Sequence, residues 1–143
     1  MPVTFLGRLA RPSQPLPLFL CRLSAGFPSP AEDHVDANLS LDDLCVQHPA
    51  ATFFLRVRGD SMRDLGIFDG DIVVVDRSLT PRVGMVVVAL VNGAFTCKQL
   101  GSQDGRPVLH AANPAYPDIH LGEDEELEVF GVVTNCIHRL PGV

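Results

Sequence analysis

Apolar and polar residues follow two different patterns along this chain. From residue 51 onward the rhythm is that of strands. In "FFLRVRG" the residues alternate after Phe54, with Leu55 and Val57 facing one way and Arg56 and Arg58 the other, as in a strand with one buried face. "DIVVVD" is a short apolar run bounded by acids. "MVVVALV" and "AFTCKQL" flank Asn92-Gly93, a strong signal for a two-residue hairpin. "RPVLHAAN" follows Asp104-Gly105, a second turn signal. "LEVFGVVTNCIHRL" reads as a final long strand or bent pair, with Gly131 as the candidate bulge. "GEDEEL" reads as a solvated acidic connection. Closely spaced short strands predict a mostly β fold, a compact antiparallel domain over residues 51–143.

The first fifty residues differ. Half of the 12 prolines lie in residues 1–30 (Pro2, Pro12, Pro15, Pro17, Pro28 and Pro30). Proline removes backbone donors and blocks helix interiors, so this stretch predicts an extended arm. Its apolar side chains, such as Leu16, Leu18, Phe19 and Leu20, are suited to lying on a globular surface. Residues 31–50 predict a short helical connection. Ser29-Pro30-Ala31-Glu32 supplies an N-cap, a proline at the first helical position and an early acid, with Val35 and Leu39 then on one face. Ser40 caps a second short helix, Asp42 and Asp43 suit its positive end, and His48-Pro49 stops it.

Charge narrows the functional classes. The net charge is −6, opposite in sign to a surface that holds DNA phosphates, so no strong direct DNA binding is expected. Cys21, Cys45, Cys97 and Cys136 form no CxxC pair and read as reduced thiols in the cytoplasm. The five histidines (His34, His48, His110, His120 and His138) show no zinc spacing, so neither metal nor cofactor is expected. No apolar run approaches the ~18 residues of a membrane span. "PLPLFLC" after Arg8 and Arg11 is interrupted by prolines and followed by Arg22, unlike a signal peptide.

Candidate chemistry centres on "RGDSMRD". An integrin-type Arg58-Gly59-Asp60-Ser61 needs an extracellular protein, which the cysteines argue against. A Gly-x-Ser-x-Gly elbow needs glycine where Arg63 stands, and an α/β alternation that is absent. A nucleophilic Ser61 still needs a base. His110, His120 and His138 lie downstream, and nothing in the sequence prefers one of them. Lysine is the other choice. Of the 11 basic residues only Lys98 is lysine, and arginine is too strongly basic for the task. On a strand, the face of Lys98 carries Ala94, Thr96 and Leu100, an apolar setting in which an amine can lose its proton. A lone edge-strand lysine that deters aggregation fits the same pattern. Asp60 reads as a turn acid or a catalytic helper, and Met62 as cleft wall or core. Arg56, Arg58 and Arg63 read as a solvated face or a partner contact, and Cys97 as a small core residue opposite Lys98.

The ordered set "GDSM", "GIFDGDIVVVD" and "FTCKQL", with "NPAYPDI" and "EVFGVV" later, resembles the Ser-Lys self-cleaving domain of the LexA/UmuD family. "GFPSPAEDHVD" and "LDDLCVQHPAATFFLRVRGDSM" resemble its UmuD branch, and the likeness runs from about Leu16 to His138. The residues ahead of "GFPSP" are too few for the helix-turn-helix domain of a repressor. By resemblance, Ser61 is the nucleophile, Lys98 the general base and Ala25-Gly26 the scissile bond within the arm. Gly59 and Met62 border the cleft, with backbone amides near Ser61 serving the oxyanion. Ala25 departs from the cysteine common in UmuD-like proteins and matches the alanine of repressors. The resemblance further implies a homodimer, cleavage stimulated by a RecA–single-stranded DNA filament, and a shortened product that joins a UmuC-like Y-family polymerase in error-prone synthesis. Three other functions remain open: a non-enzymatic binding module regulating a polymerase, a repressor-like autoprotease without its DNA-binding domain, and a signal-peptidase-like enzyme. The last lacks an anchor.

Overall fold

The computed structural model describes residues 1–8, 14–19, 35–122 and 125–143. They form two compact units, one of Met1–Leu9 with His48–Val143 and one of Ala10–Gln47. In chain order the strands are β1 (Val3–Arg8), β2 (Leu16–Phe19), β3 (Val35–Leu39), β4 (Thr52–Val57), β5 (Ile72–Asp76), β6 (Val86–Val91), β7 (Ala94–Gln103), β8 (Arg106–His110), β9 (Ile119–His120) and β10 (Glu128–Ile137). A short helix, α1 (Leu41–Cys45), follows β3.

In the smaller unit β2 and β3 pair antiparallel, Leu16 opposite Leu39 and Leu18 opposite Ala37. The helix expected across Val35 and Leu39 is therefore a strand. Val35, Ala37 and Leu39 also satisfy a period of two, and a partner strand supplies the backbone bonds that isolated propensity cannot anticipate. Leu16 and Leu18 are exposed. The second helical signal reads as expected: Ser40 Oγ accepts from Asp43 N–H at 2.9 Å and caps α1, with Asp42 and Asp43 in its first turn.

The larger unit is an eight-stranded antiparallel sheet in the order β1-β4-β5-β10-β6-β7-β8-β9. Asn92 and Asp104 adopt positive φ in the two tight turns that join β6 to β7 and β7 to β8, which matches the right-handed twist of the flanking strands. The alternation in β4 holds, with Leu55 and Val57 fully buried. Val73, Val74 and Val75 of β5 are also fully buried, so β5 is covered on both faces and its apolar run is continuous. Each such valine contributes roughly 1.5–3 kcal/mol by leaving water.

The sheet curls until the chain ahead of β1 meets β7, where Pro2 bridges Thr96. Ahead of β1 the chain leaves β4 and crosses toward β7. Pro2 C=O accepts from Arg58 N–H at 2.8 Å, and Met1 C=O accepts from Cys97 N–H at 2.7 Å. The Met1 side chain joins Leu55, Val57, Met62, Ile67 and Cys97 in one core cluster. The N-terminal residues expected to form an arm thus begin as a sheet strand.

β10 shifts register between Val129 and Gly131 against β6, so Gly131 follows a bulge. A Cβ there would lie 2.6 Å from Val75 Cγ1 and 3.2 Å from the Asp76 carbonyl oxygen. Backbone cannot yield as a flexible side chain does. Gly131→Val is expected to lower unfolding free energy by about 1–3 kcal/mol in urea titration.

Candidate functional site

Ser61 stands in the turn after β4. Gly59 reverses the chain with φ +89° and donates its N–H to Asp69 Oδ1 at 2.8 Å. A Cβ on Gly59 would touch nothing within 4 Å, so the left-handed backbone, not close approach, requires the glycine. Met62 turns inward, fully buried in the core cluster. Its carbonyl accepts from Leu65 and Ile67 N–H, which winds the chain into a single short turn over Arg63–Leu65. The glycine reversal on one side and the Met62 anchor on the other fix where Ser61 points.

Lys98 comes from β7, where it sits opposite Val87. Its Nζ donates to Ser61 Oγ at 2.9 Å, across 37 residues of sequence. Both are buried, Ser61 at 2% and Lys98 at 6% exposure. Among the described residues no carboxylate forms an ion pair with Lys98. The Met1 α-amine lies alongside, donating to Thr96 Oγ1 at 2.8 Å and to Cys97 C=O at 3.2 Å. Burial, then the hydrogen bond and charge of Lys98, push this amine down to about 5.

A loop after β8 forms the other wall. Ala112 N–H donates to Ser61 C=O at 2.8 Å, and Ala112 C=O accepts from Asp64 N–H at 2.8 Å. Asn113 Nδ2 donates to Asp60 C=O at 2.9 Å, and Tyr116 OH donates to Asp60 Oδ1 at 2.5 Å. Asp60 is thus held by side chains remote in sequence. Nothing in the alternation of "HAANPAY" marked Asn113 or Tyr116, because a loop has no period to read.

The histidines go elsewhere. His110 pairs with Asp118 at 2.8 Å, His48 with Asp76 at 2.6 Å and His138 with Asp71 at 2.7 Å. Among the described residues none bonds to Ser61. The buried Cys97 thiol is pushed up to about 11 by burial, and Cys136 up to about 12 by burial and then its bond to Asp71, so neither is a ready nucleophile. The amides of Asp60, Ser61 and Met62 donate to no group among the described residues. Ala25 and Gly26 lie outside those residues. No helix is long and apolar enough to cross a membrane.

Asp71 also links the site's turn to stability. Burial pushes its carboxyl up, but hydrogen bonds from Phe68 N–H, His138 and Cys136 outweigh this and hold it below the usual range. A carboxylate depressed in the folded state contributes stability above its unfolded pKa and loses it as pH falls through the folded value. The urea midpoint is therefore expected to fall on acidification below about pH 4. Asp71→Asn, already less stable at pH 7, should fall less over the same range.

An antiparallel β domain that buries a serine hydroxyl against a lysine amine, with no histidine among the described residues bonded to that serine, has the build of a self-cleaving serine-peptidase domain. The chain belongs to the peptidase S24-like family, whose model matches residues 17–134. Within it the chain is UmuD-like. It is 47% identical over 123 residues to Protein SamA of Salmonella typhimurium strain LT2, covering 86% of this chain and 85% of the relative. It is 46% identical over 127 residues to Protein MucA of Escherichia coli, covering 88% and 86%. It is 37% identical over 131 residues to the LexA repressor of Vibrio atlanticus, covering 91% and 63%.

Proposed function

We propose that this protein cuts its own Ala25-Gly26 bond with a Ser61–Lys98 dyad, and that the shortened product is an accessory subunit of an error-prone, UmuC-like Y-family polymerase. The observation that carries the chemistry is the buried 2.9 Å contact between Lys98 Nζ and Ser61 Oγ. Neutral Lys98 takes the Ser61 proton as Oγ attacks the Ala25 carbonyl carbon. The oxyanion is received by the amides of Ser61 and Met62, which donate to no group among the described residues, since Gly59 N–H is committed to Asp69. The protonated Lys98 returns the proton to the Gly26 nitrogen as the C–N bond breaks. Water, deprotonated by Lys98, then hydrolyses the Ala25 ester and regenerates Ser61. A small residue and a glycine at the scissile bond let an extended backbone enter a narrow cleft.

The biological role rests on the family. The chain spans most of SamA and MucA but a smaller share of the LexA repressor, which supports the UmuD branch. That branch implies a cytoplasmic homodimer, stimulation by a RecA–single-stranded DNA filament and the polymerase partner. The net charge of −6 agrees with work through protein partners rather than direct DNA contact. Incubation of purified protein at mildly alkaline pH, or with activated RecA, is expected to yield a fragment whose N-terminal residue by mass spectrometry is Gly26. Wild-type protein that stays whole under both conditions would contradict the assignment. A non-enzymatic module would then remain if the uncut protein still bound its polymerase.

A further inference from the structure

We propose that Tyr116 is a positioning residue for the Ser61–Lys98 pair, acting through a latch on Asp60. The inference rests on the dyad assigned above and goes beyond it. Asp60 directly precedes Ser61, so whatever fixes Asp60 fixes the start of the nucleophile's backbone. A turn acid of the ordinary kind bonds to amides within its own turn. Asp60 Oδ1 instead accepts from Tyr116 OH, 56 residues away, at 2.5 Å. That length is typical of a charge-assisted bond from hydroxyl to carboxylate. The Asp60 carboxylate holds the Tyr116 phenol above its usual range, so the donor stays protonated through mildly alkaline conditions.

The latch is built on a braced loop. Asn113 is 5% exposed and makes three bonds that shape it: Nδ2 to Asp60 C=O, Oδ1 from Ala115 N–H at 3.0 Å and C=O from Tyr116 N–H at 3.0 Å. The Ala112 bonds tie the same loop to Ser61 and Asp64. Tyr116 itself is 42% exposed, so its ring contributes little to the core. Its centroid lies 6.0 Å from Lys98 Nζ, at the outer reach of a cation–π contact. One side chain therefore stands beside both halves of the dyad, bonded to Asp60 next to Ser61 and with its ring 6.0 Å from Lys98 Nζ. An exposed tyrosine that bonds a carboxylate at this spot costs ordering entropy and returns little stability, which is the profile of a residue kept for geometry.

The test reads Ser61 reactivity without relying on arm cleavage. Full-length protein is treated with a fluorophosphonate, and Ser61 modification is followed by mass spectrometry in wild type, Tyr116→Phe, Asp60→Ala and the double variant, with Ser61→Ala as the control. Each single variant is expected to react about tenfold more slowly, as misplacement of a reacting group implies. The double variant is expected to lose no more than either single one, because both remove the same latch. Melting temperatures are expected to stay close to wild type. A second readout uses the fact that Lys98 is the only lysine. With 13C-labelled lysine its side chain gives one Cε cross-peak, shifted by the Tyr116 ring. Phenylalanine keeps the ring but frees it, so the Tyr116→Phe peak should move toward that of Tyr116→Ala. Wild-type labelling with an equal rate in Tyr116→Phe, or losses that add in the double variant, overturns the latch and leaves the dyad standing. No labelling of wild-type Ser61 at any pH overturns the dyad and the latch together. Labelling that follows the expected pattern without an arm fragment supports the latch and counts only against Ala25-Gly26 as the substrate.

Discussion

Ser61→Ala and Lys98→Ala are each expected to abolish the Gly26 fragment, slowing cleavage at least about a thousandfold, while the protein stays folded. Lys98 has no substitute because, among the described residues, every histidine hydrogen bond goes to an aspartate and none to Ser61. Lys98→Arg keeps a positive charge but fails equally, because a guanidinium does not give up its proton. Stability should move the other way from activity. Lys98 is buried against the Ser61 hydroxyl, and among the described residues it is paired with no carboxylate. A desolvated amine so placed costs folding energy, so Lys98→Met is expected to raise the urea midpoint while removing cleavage. Fragment yield by mass spectrometry and urea titration on the same samples check both halves. Cleavage surviving in Lys98→Met removes the lysine from the mechanism.

Met62→Ala is expected to cost about 2–5 kcal/mol in urea titration, a large share of the ~5–15 kcal/mol that holds a domain folded. Met62 is fully buried among Leu55, Val57, Ile67 and Cys97, so its loss leaves a cavity beneath the Ser61 turn. Met62→Leu keeps the volume and should cost less than about 1.5 kcal/mol. The alternative role read from the sequence, a wall of the cleft, makes a different forecast. A wall residue would lose cleavage with an unchanged urea midpoint. The burial of Met62 puts it in the core, where the turn is anchored.

The parts legible in the sequence are those whose cause is local. Period-two alternation reads out Leu55 and Val57 because a strand with one wet face must alternate. Asn92-Gly93 and Asp104-Gly105 read out hairpins because few residues adopt the backbone those turns need. Ser40 reads out a cap because its side chain serves an amide three residues on. Val35–Leu39 fits both a helical and a two-residue period, and the partner strand that decides between them, Leu16–Phe19, is distant in sequence. β1 is hidden among prolines that favour an extended arm over the first thirty residues, although Val3–Arg8 itself contains no proline.

The alternating strands after residue 51, the hairpin turns, the lone lysine and the serine after β4 are thus properties of the sequence alone. Their meeting is not. In sheet order β4 and β7 are separated by β5, β10 and β6. A flat sheet would hold Ser61 and Lys98 more than a dozen ångströms apart, since neighbouring strands lie ~4.8 Å from each other. Curling of the sheet, secured where Met1 and Pro2 bond Cys97 and Arg58, brings them to 2.9 Å. Tyr116 reaches Asp60 by the same closure. Twist and curl accumulate over many strand pairs and the core they enclose, so no local pattern encodes them.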